Sequence, residues 1–126
     1  MKRDMNLMRK ILFKIEEEYQ PGEGGLSSLK IEDYDELTIA EHCDLLYQAG
    51  LVKDYVPIQA RDQIIDFKVG NLSNYGYEYL EQIRNEEVWE KTEKEIEEKK
   101  LPKTLEVIAR VAGIFTGNVI SEMTGS

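Results

Sequence analysis

One cysteine, one histidine, three prolines and no apolar run long enough for a bilayer set the first limits on this 126-residue sequence. Cys43 cannot close an intramolecular disulfide, and a zinc site built from several cysteines is excluded, which suits a reducing cytoplasm. His42 stands next to it. Neighbours on a helix point about 100 degrees apart, so the two do not make a nucleophile–base pair, and a lone histidine without a spaced second ligand lacks catalytic or metal-binding geometry. No catalytic residue, no cofactor and no metal is therefore predicted. The glycines within 22–25 precede no Gly-Lys-Ser/Thr and make no phosphate loop. Polar Asp4 and Asn6 directly after Met1-Lys2-Arg3 predict no signal peptide. The stretch 111–121, uncharged beyond Glu106 and Arg110, falls far short of the roughly 20 residues a membrane span needs. Cations are scarce as well, 16 against 25 acidic residues, for a net charge of -9.

What the chain does contain is apolar periodicity. Met5, Met8, Leu12, Ile15 and Tyr19 recur at steps of three and four with Arg9, Lys10 and Glu17 opposite, predicting an amphipathic helix capped by Asp4. Residues 21–25 end it, and 26–31 read as a short strand. Ile39, Cys43, Leu46 and Ala49 mark the buried face of a second helix, with His42 at its flank and Gly50 as a left-handed stop. Residues 52–59 and 63–69 read as a hairpin with Ala60-Arg61-Asp62 at its tip and Ile65, Phe67 and Val69 alternating; Pro57 lacks a donor and predicts an edge or a bulge. Ser73 caps a third helix with an inner stripe of Tyr77, Leu80, Ile83 and Arg84, where Gly76 lets a neighbouring backbone approach. Past Asn85, Val88, Trp89, Thr92 and Ile96 form a thin apolar seam among the charges of 90–100. Pro102 interrupts that run, and Thr104 caps a last helix reaching about Met123.

A helix stopped by glycine, a two-stranded ribbon and a serine-capped helix together describe a winged helix. The expected class is α+β, mainly α: a winged helix (three-helix core with a β-hairpin wing) over 1–84, and a C-terminal helical extension over 85–126 that serves packing or dimerisation. Residues 1–12, 42–52, 72–80 and Arg84-Asn85-Glu86-Glu87-Val88-Trp89 also resemble a family of uncharacterised, mostly prophage-borne bacterial proteins grouped as a domain of unknown function. The Arg-Asn-x-x-Val-Trp run is the most specific part. That resemblance implies a winged-helix fold and phage association and supplies no activity and no functional residues.

Winged helices often read DNA, and that use rests on cations neutralising phosphates. The helix that would enter the groove has Asp35, Glu36, Glu41 and Asp44 and no lysine or arginine across 35–49. Lys53, Arg61 and Lys68 of the hairpin are balanced by Asp54, Asp62 and Asp66. Nucleic acid is thereby disfavoured, and the expectation is a non-catalytic adaptor or regulator in the cytoplasm acting through protein–protein contact, with a DNA-binding transcriptional regulator as the alternative. Candidate partner-binding residues are Glu41, Asp44 and Gln48 on the acidic helix, and Trp89 and Ile96 on the seam. Ala109, Gly113, Gly117 and Ser121 recur every four residues and form a candidate dimer face; packing on the chain's own core is the other use of such a column.

Overall fold

Each helix begins where a side-chain oxygen can answer the free N–H groups of a first turn. In a computed structural model, which describes residues 2–124 and the side chains of 2–117, Asp4 accepts from the N–H groups of Asn6 and Leu7, both at 3.0 Å, and opens α1 (Met5–Glu18). After β1 (Leu26–Ser27), Asp35 accepts from Thr38 N–H at 2.7 Å and opens α2 (Glu36–Gln48). The hairpin of β2 (Tyr55–Ala60) and β3 (Gln63–Val69) leads to α3 (Asn74–Ile83), whose Gly76 N–H donates to Ser73 Oγ at 2.9 Å. Asn85 then caps α4 (Glu86–Glu98) through Val88 N–H, and Thr104 caps α5 (Leu105–Thr124) through Val107 N–H. The fold is α+β and mainly helical.

The antiparallel sheet runs in the order β1-β3-β2, so β2 is an edge strand, and Pro57 sits within it opposite Phe67. Arg61 and Asp62 form the hairpin turn with φ of 53° and 63°, the left-handed pair that a two-residue connection requires. Register slips between Ile58 and Gln59, because Ile58 faces Asp66 while Gln59 faces Ile64. Ile65 is the extra residue. It is 57% exposed, so the expected inward alternation holds only for Phe67 and Val69.

The chain divides into two compact units, Met1–Tyr77 and Glu78–Ser126, a division that falls within α3. In the first, Leu7, Ile11, Leu12 and Ile15 of α1, Ile39, Cys43 and Leu46 of α2, and Phe67 and Val69 of β3 are buried. Gly50 turns the chain out of α2 at φ 81°. Gly76 is wedged against Leu51: a methyl group there would meet the Leu51 carbonyl oxygen at 2.0 Å. In the second unit α4 packs on α5, and Val88, Trp89, Thr92, Ile96, Ile108 and Ala112 are buried. Exposed flanks of α4 carry ion pairs one turn apart, Glu87 with Lys91 at 3.1 Å and Glu95 with Lys99, so its charge run is a solvated face.

Several positions differ from the periodicity. Ala49 is exposed because the helix has already ended at Gln48, and Tyr77 is exposed while Tyr79 takes a buried place. Arg9, expected on the polar face, is buried with its guanidinium 4.8 Å from the Phe13 ring centroid. Such stacking shields its apolar stem while satisfying the charge. The strand expected over 26–31 is limited to Leu26–Ser27, after which Ser28 turns at φ 49°.

Candidate functional site

On α2, Leu37, Glu41, Asp44 and Gln48 follow one another at steps of four, three and four, and therefore share a face. Leu37 is 52% exposed, Gln48 is exposed, and Glu41 and Asp44 are half-buried. Tyr55, at the start of β2, lies in the field of these acids. Burial pushes its phenol up to about 12, and the Asp44 and Glu41 carboxylates add to the shift. Leu37 continues this face into an open cleft of about 500 Å³, whose other walls are Gln59, Asp62, Gln63 and Ile64 of the hairpin. The register slip after Ile58 presents Gln59 and Ile64 together there, since paired residues share a sheet face. Glu41 and Asp44 thus lie near the start of β2, while none of Glu41, Asp44 and Gln48 lines the cleft itself.

Trp89 and Ile96 belong to the core instead. Each is only 1% exposed, so a partner cannot reach either while the helices are packed. Ala109 is half-buried, whereas Gly113 and Gly117 are exposed and a methyl group at either would meet nothing within 4 Å. The column therefore opens outward at those two glycines. The side chain of Ser121 lies outside the described residues.

His42 is fully buried beside Cys43, and both ring nitrogens are engaged by backbone. Asp4 N–H donates to Nε2 at 2.9 Å, so the ring proton is on Nδ1, which donates to the Thr38 carbonyl at 2.8 Å. Neither nitrogen is left to serve as a base. Burial pushes the Cys43 thiol up to about 12, so it carries no thiolate at neutral pH. His42 instead ties the start of α1 to α2. Tyr34 strengthens that tie by donating to Asp4 at 2.9 Å, and the Lys10 ammonium lies 5.6 Å from the Tyr34 ring centroid.

The sequence reading missed Leu37, Tyr55, Asp62 and Ile64. Leu37 had a signal, an aliphatic residue out of phase with Ile39, Cys43 and Leu46; for the hairpin residues the only signal was Pro57, which allowed a bulge without saying which residues it would aim. Among the described residues, no group of three or more His, Cys, Asp and Glu side chains is placed to hold a metal ion, and no helix is long and apolar enough to cross a membrane.

A mainly helical α+β fold with a three-stranded antiparallel sheet defines the class of this protein. Within it, the chain belongs to the family described as a hypothetical protein, DUF2513, whose model matches residues 2–102. It is also 33% identical over 125 residues to an uncharacterized protein of Haemophilus influenzae, covering 98% of both chains. No solved structure matches it.

Proposed function

We propose that this chain is a prophage-associated winged-helix protein of the cytoplasm, without catalytic activity, that works through protein–protein contacts as a small adaptor or regulator. The order α1, β1, α2, β2, β3 with β3 central in the sheet is the arrangement a winged helix uses, and it supports that reading of the fold. One element is reduced. Residues 28–34, where a helix-turn-helix keeps its supporting helix across the DNA backbone, hold turns and extended chain. The prophage setting rests on the family resemblance carried by residues 84–89.

The observation that carries the functional reading is the sign of charge on α2. A helix that reads duplex DNA neutralises phosphates with lysine and arginine and gains from counterion release. Here Asp35, Glu36, Glu41 and Asp44 stand with no cation from 35 to 49, and phosphates would be repelled. A cationic protein surface gains from the same charges. The un-ionised Cys43 and the doubly engaged His42 support a role without catalysis.

Affinity capture from the lysogenic host, with and without nuclease, tests this reading alongside a gel shift on the phage's own DNA at low salt. A captured protein that survives nuclease is the expected result. Salt-sensitive nanomolar DNA binding would replace the proposal with a transcriptional regulator.

A further inference from the structure

We infer that the cleft between the first turn of α2 and the hairpin tip docks an amphipathic, lysine- or arginine-rich helix of a partner protein, an inference that rests on the protein-interaction reading above. The cleft has an apolar wall on each side. Leu37 and Ile64 line it, and Leu37 is 52% exposed although it contributes nothing to the core formed by Ile39, Cys43 and Leu46. Its volume of about 500 Å³ falls within the range of roughly 300–1,000 Å³ found for ligand pockets, enough for aliphatic anchors of a docked segment.

Charge selects the occupant. Glu41 and Asp44 lie one and two turns along α2 from Leu37, and Asp62 stands in the opposite wall. A docked helix that sets an apolar residue between Leu37 and Ile64 carries its next turns past Glu41 and Asp44, where lysine or arginine is favoured. Phosphate meets the opposite sign.

The sheet edge argues for a helix rather than an added strand. Gly70 N–H donates to the Asp54 carbonyl at 2.8 Å, and Ser28 N–H to the Phe67 carbonyl at 3.0 Å. Backbone groups alternate along an antiparallel pair, so Asp54 points its groups at β3 while Pro57, opposite Phe67, directs its own outward. Proline has no N–H to offer an incoming strand. The middle of the open edge is thereby closed to strand addition.

The test is an amide-resonance titration of the full chain with a synthetic helical peptide carrying leucines at i, i+3 and i+7 and lysines beside them. A second peptide replaces each lysine with glutamate. The lysine peptide is expected to shift Leu37, Glu41 and Ile64 saturably, and the glutamate peptide to leave them in place. Leu37→Ser, and separately Glu41→Lys with Asp44→Lys, should each weaken binding about tenfold without lowering the melting temperature. Absence of saturable shifts, shifts confined to another surface, equal binding by the glutamate peptide, or the same resonances moving with duplex DNA would each overturn the inference. Should a protein captured by the native chain bind both variants equally well, the adaptor reading stands and the cleft falls; should only DNA be captured, both fall.

Discussion

At the scale of the residue, the buried His42 ties the start of α1 to α2. It spans 38 positions of sequence to receive the N–H of Asp4, the residue that also caps α1. His42→Ala removes a buried ring and leaves the Asp4 N–H without its acceptor, while the Thr38 carbonyl keeps the helical N–H of residue 42, so we expect a loss of about 2–4 kcal/mol in urea unfolding. A loss under 1 kcal/mol would contradict the role given to it. Asp4 adds a pH dependence. Partial burial raises its pKa, yet hydrogen bonds from Leu7 N–H, the Tyr34 phenol and Asn6 N–H outweigh this and hold the carboxyl below its ordinary value. A carboxyl depressed in the folded state contributes stability that is present above about pH 4 and is lost as pH falls through its folded value. Asp4→Asn keeps a competent cap and removes the charge, so the stability of this variant should fall less steeply below about pH 4 than that of the native chain, the remaining fall coming from Asp35 and Asp66, whose carboxyls are also held low by hydrogen bonds.

At the scale of the element, two glycines in helices separate close packing from open space. Gly76→Ala forces a methyl group into the Leu51 carbonyl in the first unit and should prevent stable folding, whereas Gly113→Ala, with nothing within 4 Å, should stabilise α5 by about 0.5–1 kcal/mol. Thermal melts of the two variants should move in opposite directions. Trp89→Ala removes a fully packed ring from the buried face of α4, and a cost of about 3–5 kcal/mol is expected. These elements also mark what was legible beforehand. The caps at Asp4, Ser73 and Thr104, the stop at Gly50, the edge position of Pro57 and the crowding at Gly76 all follow from local chemistry, and each occupies its expected place. Tertiary contacts decided the rest. Periodicity placed Arg9 in solvent because it assigns charge outward, and it could not weigh the Phe13 face that lets the guanidinium stay buried. It put Tyr77 inward and left Tyr79 out, since α3 is short and tyrosine suits either side. Glu41, Asp44 and Gln48 were legible as the polar face of an acidic helix, but the cleft at its N-terminal end depends on a slip of strand register next to Pro57, where local chemistry allowed either an edge or a bulge and fixed neither the strand nor the residue that carries it.

At the scale of the whole molecule, the net charge of -9 is the broadest constraint. Self-repulsion of that size weakens the compact state at low ionic strength, so the melting temperature should rise as salt is brought from about 10 mM to about 150 mM. A fall would mean that ion pairs such as Glu87 with Lys91 outweigh the repulsion. In the function proposed above, the same surplus of carboxylates selects the partner. The most direct measurement is an amide-resonance titration of the full chain at low salt with duplex DNA of the source organism, following residues 35–49. The account predicts that these resonances stay where they are; their saturable, salt-sensitive movement at nanomolar affinity would contradict it.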